Sequence, residues 1–236
     1  MKKCITWVSL AITGMLFSCN DDKLNAITIV DSAFQTGTDG WTAQFSEYST
    51  ATDSVSLEMQ AGRARLPIGL DTTKYAFRIQ GHNRSDDMFM YLKKKVTGFV
   101  PNQNYSVTFE MDLGTQYPEN SLGAGGSPGS SVYLKAGAVA TEPNRKLEDG
   151  TYHFTLDKGQ QSEAGKDAVL LGNVSNGADQ EIYKLVRRSN LDKPINIKAN
   201  AQGEIWLFVG SDSGFEGLTV LYYDHIRATI IEQPIE

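Results

Sequence analysis

From residue 27 onward the apolar positions recur with period two. Tyr105, Val107, Phe109, Met111 and Leu113 face one way, and Ser106, Thr108, Glu110 and Asp112 the other, the pattern of a half-buried strand. The same alternation places strands at Trp41–Ala43–Phe45, Val55–Leu57–Met59 and Tyr75–Phe77–Ile79. Met88, Met90, Leu92 and Val96 share a face; Lys93 and Lys95 point away, and Lys94 must snorkel or lie beyond a bulge. Further strands are predicted over 27–30, 132–140, 152–156, 169–174, 182–186, 195–199, 204–209 and 218–230. Pro101-Asn102 and a glycine-rich stretch over 114–130 supply turn chemistry between them. Only 144–148 and 181–188 have the makings of a short helix. Many short strands, polar on one face and separated by turns, predict an all-β, antiparallel β-sandwich occupying residues 26–236 as a single domain.

The first 18 residues break this pattern. Met1-Lys2-Lys3 is followed by an apolar run from Ile5 to Phe17, too short to span a bilayer comfortably, and then by Ser18-Cys19. That is the form of a secretory signal. Leu16-Phe17-Ser18-Cys19 resembles the lipobox of bacterial lipoproteins, and the resemblance implies lipidation of Cys19, cleavage after residue 18 and a linker over 19–25. Asn20-Asp21-Asp22 either resembles the surface-export signal of some Gram-negative lipoproteins or is a solvated tether. The expected location is the outer membrane or cell surface, with the lipid bilayer as first partner.

Composition narrows the function. Of the two cysteines, Cys4 falls in the leader and Cys19 at the lipid site, so the exported domain has none for a disulfide and relies on burial. Loss of Lys2 and Lys3 with the leader takes the formal charge from −6 to −8. An acidic chain with no basic cluster argues against nucleic acid as a partner.

Three segments resemble carbohydrate-binding modules of jelly-roll, galactose-binding-like type: the opening FQTGTDGWTAQF, the turn and strand VTGFVPNQNYSVTFEMDL, and the closing TVLYYDHIRATI. More narrowly, HNRSDDMFMYLKKKVTGF, GGSPGSSVYLKAGA and SGFEGLTVLYYDHI resemble a group of bacterial surface lipoproteins. In the modules an aspartate at the position of Asp224 helps bind a structural Ca²⁺ together with a first-strand glutamate. Here that first-strand position is Gln35, so the resemblance implies a calcium site at Asp224 and Gln35 in which Asp31 or Asp39 replaces the lost charge. Read by alternation alone, Asp224 lies on the apolar face of Leu218, Val220, Tyr222 and Ile226, where a carboxylate needs a metal, a cationic partner such as Arg227 or Lys184, or a bulge that turns it outward.

Sugar recognition needs an aromatic platform with hydrogen-bonding neighbours. Tyr91, Tyr117, Phe215 and Tyr223 are the candidate platforms, and the polar turn His82-Asn83-Arg84-Ser85-Asp86-Asp87 supplies His82, Asn83, Arg84 and Asp86 as candidate readers. Each has a plain alternative, core packing for the aromatics and ordinary turn chemistry for the polar run. Gly125-Gly126-Ser127-Pro128-Gly129 fits Gly-x-Ser-x-Gly, but a predicted strand, not a helix, follows it. Glu110 and Asp112 share a strand face without the third acid of the usual jelly-roll glycosidase runs. The three histidines lack zinc-like spacing. The expected function is therefore a lipid-anchored, non-catalytic, glycan-binding surface module. The alternatives are a protein-interaction subunit of a surface complex, or a carbohydrate-active enzyme in which Glu110 or Asp112 faces a second acid across a cleft.

Overall fold

The computed structural model describes residues 25–234, all strand, turn and loop. The leader, Cys19 and the linker up to residue 24 lie outside the described residues. The strands are β1 (Ile27–Ser32), β2 (Thr42–Ser46), β3 (Tyr48–Ser49), β4 (Gln60–Arg65), β5 (Tyr75–His82), β6 (Phe89–Thr97), β7 (Asn104–Thr115) and β8 (Val132–Val139). They continue with β9 (Arg145–Glu148), β10 (Thr151–Phe154), β11 (Val169–Asn173), β12 (Lys184–Ser189), β13 (Ile195–Lys198), β14 (Glu204–Ser213) and β15 (Leu218–Glu232).

A seven-stranded antiparallel sheet runs β12-β7-β15-β5-β4, with β1 added to β15 and β13 to β7. A five-stranded sheet, β11-β8-β14-β6-β2, packs against it. Between them lies the main core, with Val107, Phe109, Met111, Leu113, Ile226, Ala228 and Ile230 facing Met90, Leu92, Leu134, Ala136, Leu207 and Val209. The predicted β-sandwich is the observed fold, and β7 buries the five residues the alternation assigned to its inner face.

The five-stranded sheet is buried on its outer face as well. The small sheet β3-β10-β9 and the loop after it fold over that face, and Phe89, Tyr91, Val139, Phe154, Ala168 and Phe208 form a second core there. Phe154 meets Phe89, Tyr91 and Phe208 edge-on at 4.9, 4.7 and 5.4 Å between ring centroids. This explains why β6 buries both faces over Phe89–Lys93, where simple alternation predicted one.

Three expectations are corrected. Residues 55–59 form turns, not a strand: Asp53 accepts the Val55 and Ser56 amides, and Glu58 takes a left-handed φ of 47°. Both helix candidates are strands, because β9 finds a partner in β10 and β12 in β7. On β15 the inward residues before Asp224 are Thr219, Leu221 and Tyr223, and those after it are Ile226, Ala228 and Ile230. The register shifts between Tyr223 and His225, so a bulge changes the parity of the strand and turns Asp224 out of the core.

The strands run between two ends. Ile27 pairs with Ile231, and Asn104 with Lys198, so the entry to β1 and the end of β15 share one end. The loops after β5, β7, β10 and β14 gather at the other, as Leu218 opposite His82 and the bond from the Asn83 amide to the Gly217 carbonyl show.

Candidate functional site

A chain of four charges lies beneath the end of the sandwich remote from β1's entry. Lys135 on β8 and Asp212 on β14 point to the covered outer face of the five-stranded sheet, and both are fully buried. The Lys135 ammonium donates to Asp212 at 2.8 Å and to the Lys158 carbonyl at 2.7 Å. The Lys158 ammonium, also buried, donates to both Asp212 oxygens at 2.9 and 2.8 Å and lies 3.4 Å from Asp87. Two cations and two carboxylates thus neutralise one another where isolated charges are costly. Because Lys158 is spent mainly on Asp212, burial and the neighbouring Asp212 charge push the Asp87 carboxyl up to about 7. Desolvation lowers Lys135 below the ordinary lysine value.

Above this chain opens a hollow of about 390 Å³ lined by Asp86, Asp87, Gln160, Gln161, Ser162 and Glu163. Asp86 and Asp87 come from the loop between β5 and β6, the other four from the loop after β10. That second loop is closed on itself by Asp157, whose carboxylate accepts the Gly159 and Lys166 amides while Asp167 accepts the Asp157 amide. Gln161 donates to the Asp86 carbonyl at 3.3 Å, joining the two walls. The result is a fixed cup of carboxylates and carboxamides.

Of the residues singled out in the polar turn, Asp86 reaches the cup. The carboxamide of Asn83 is buried and holds loops together, donating to the Ser213 and Phe215 carbonyls and accepting from Ser85 and Met88. His82 pairs with Glu58 at 2.8 Å, and Arg84 donates to the Ser56 carbonyl at 3.3 Å. The aromatic platforms are corrected: Tyr91 and Tyr223 have no exposed surface, and Tyr117 is 6% exposed. Tyr91 packs in the second core and bonds Gln44; the Tyr117 hydroxyl accepts the Val220 amide at 2.7 Å. Phe215 is half-buried against the main core. None of the three tyrosines presents a ring face to solvent.

A second cleft, of about 370 Å³, lies beside the β15 bulge and is lined by Ala33, Gln35, Lys74, Asp112, Asp224 and His225. Gln35 and Asp224 therefore line one cleft, and His225 beside them bonds Asp31 at 2.7 Å. The Gln35 carboxamide is engaged, donating to the Ala33 and Tyr75 carbonyls and accepting the Tyr75 amide. Among the described residues no group of three or more His, Cys, Asp or Glu side chains is arranged to hold a metal ion. Asp112 accepts two 2.8 Å bonds from Arg187, and desolvation raises the Asp224 carboxyl above the ordinary range. Ser127 of the Gly-x-Ser-x-Gly stretch accepts the Gly129 and Ser130 amides and donates to the Glu119 carbonyl, as a turn residue does.

The loop over 157–167, Lys135 and Asp212 were not singled out by the sequence reading. A signal was present for the lysine, which interrupts the apolar strand VYLKAGAV; the aspartate lies in the polar Ser-Asp-Ser that ends EIWLFVGSDS and carried none.

No family model matches the chain, and no curated protein matches it. Among solved structures, a carbohydrate-binding module specific for non-crystalline cellulose is similar over 83% of this chain and 91% of its own, at 11% identity and a TM-score of 0.37. The K3 cleaved adhesin domain of the Lys-gingipain of Porphyromonas gingivalis is similar over 87% of this chain and 98% of its own, at 11% identity and a TM-score of 0.37. A carbohydrate-binding module in complex with β-1,4-galactotriose is similar over 82% of this chain and 88% of its own, at 11% identity and a TM-score of 0.34. Likenesses this distant carry no weight for function.

Proposed function

We propose that the chain is an exported, lipid-anchored, non-catalytic module that binds a glycan in the cup at the end remote from β1's entry. The observation that carries this reading is the cup itself. Asp86, Asp87, Gln160, Gln161 and Glu163 converge on one hollow, fixed from below by the buried Lys158–Asp212 pair. Fixed acceptors and donors around a cavity suit a ligand rich in hydroxyls, because their ordering cost is met in folding. The leader supports the anchoring half of the reading, with Cys19 as the lipid site.

The test is a broad glycan panel, run with calcium and again with a chelator. Saturable binding that falls at least tenfold in Asp86→Ala/Gln161→Ala supports the reading, and loss on chelation adds a cation to the site or fold. Absence of binding to every glycan in both arms overturns it.

A second reading rests on one observation: Asp112 and Asp224 line one cleft, and burial raises Asp224. Two carboxylates of unlike environment are the minimum equipment of a glycoside hydrolase. Release of reducing ends from a polysaccharide panel, abolished in Asp224→Asn, supports that reading; no release from any member removes it.

A further inference from the structure

A third concavity lies at the opposite end from the cup. It is a trough of about 680 Å³ lined by residues from 102–105, 196–198 and 233–234. Its floor is sheet. Tyr105 points inward and is buried, so Asn104 faces out. Asn104 pairs with Lys198, and Asn196 sits two pairs further along the same ladder, opposite Ser106, on the same outward face. Cross-strand neighbours of this kind hold their side chains about 5 Å apart. One wall is the loop before β7, where Asn102 takes a left-handed φ of 60° and the Tyr105 hydroxyl accepts the Val100 amide at 3.0 Å. The opposite wall is tied down by Gln103, which donates to the Gln233 carbonyl at 2.6 Å.

The carboxamides of Asn102, Asn104 and Asn196 make no hydrogen bond with a described residue, although the backbone under them is fixed. The exposed ring of Pro234 gives the trough apolar surface, while Ile197, opposite the inward-facing Tyr105, packs against the main core. The one charged side chain among its lining residues is Lys198, which has no carboxylate partner among the described residues. The cup has the opposite character, with three carboxylates at its lining and Lys158 buried beneath.

We propose that this trough is a second saccharide site, for a uronic-acid-bearing oligosaccharide whose carboxylate is seated at Lys198 and whose hydroxyls are read by Asn102, Asn104 and Asn196. Carboxamides both donate and accept, which suits vicinal hydroxyls; an ammonium supplies a point charge for the carboxylate. The apolar ring of Pro234 takes the C–H face of a pyranose. The proposal extends the glycan-binding reading to a site of different charge and does not depend on the cup.

Side-chain amide signals report on both sites in one spectrum. The ¹⁵N-labelled protein is titrated with oligogalacturonate and oligoguluronate, and in parallel with neutral gluco-, manno- and galacto-oligosaccharides. The expected result is that a uronate ligand shifts the NH₂ signals of Asn102, Asn104 and Asn196, that Lys198→Met weakens this binding at least fivefold, and that Asp86→Ala/Gln161→Ala leaves it unchanged. Uronates that shift none of the three signals, or that bind Lys198→Met as well as the parent, overturn the proposal. Uronates that leave the three asparagine signals unmoved while neutral sugars shift Gln160 and Gln161 overturn it and sustain the cup, and neutral sugars that shift the asparagine signals as strongly as uronates overturn the assignment of a carboxylate to Lys198. Uronates at the trough with nothing at the cup sustain it while removing the cup reading.

Discussion

At the scale of single residues, the buried charge chain governs the response to mutation and to pH. Asp212 receives three charge-assisted hydrogen bonds from two lysines with no solvent to replace them. Asp212→Ala leaves two buried ammonium groups facing each other, and a loss of about 3–5 kcal/mol is expected in urea unfolding. Replacing Lys135, Lys158 and Asp212 together by Met, Met and Leu removes the uncompensated charge and is expected to recover most of that loss. Asp87 carries the pH dependence. Its pKa of about 7 in the folded protein lies above the value near 4 of an unfolded aspartate. The folded state therefore holds a proton that the unfolded chain has released, and stability falls with rising pH over that interval. The contribution is complete below about pH 4 and is lost as pH passes 7. The melting temperature of the parent is expected to fall between pH 5 and pH 8 by more than that of Asp87→Asn; equal slopes would assign the dependence elsewhere.

At the scale of elements, the covering layer on the five-stranded sheet is held by few contacts of large area. Phe154 supplies three of its aromatic contacts, so Phe154→Ala is expected to cost about 3–5 kcal/mol and to raise proteolysis within 155–168 before global unfolding. Gly137 lets this layer approach: a methyl group there would stand 2.1 Å from the Phe208 ring and 2.4 Å from the Asp167 carbonyl. Gly137→Ala is expected to lower the melting temperature and weaken binding at the cup, which the same layer helps to build. These features mark the boundary of what alternation discloses. It locates β7 well, because that strand turns one face to the main core and keeps the other polar. It fails on β6, where a second layer buries Phe89 and Tyr91 on the other face, and on β15, where a single added residue at Asp224 reverses the parity of everything before it. It leaves 144–148 and 181–188 open between helix and strand, because only the partner strand, β10 for the first and β7 for the second, decides between them. The cup was legible in half: the polar turn drew attention to Asp86, but its partners lie more than 70 residues away on a loop whose position depends on the covering layer.

At the scale of the molecule, the two ends have different tasks under the proposed reading. The leader predicts that Cys19→Ser abolishes incorporation of labelled palmitate and moves the protein from the membrane to the soluble fraction of a Gram-negative host; unchanged labelling would exclude Cys19 as the lipid site. The entry to β1 then faces the membrane and the cup faces away. That arrangement has a mechanical consequence. β1 lies antiparallel along β15 over six residue pairs, and under the proposed reading the chain enters it from the anchor. A ligand pulled outward at the cup loads β1 along its own axis. Detaching it requires all the hydrogen bonds of the ladder to slide together, whereas a strand pulled sideways gives way one bond at a time. Under the proposed reading the fold would thus hold its tether in shear, and traction on a ligand in the cup would be resisted by a whole strand.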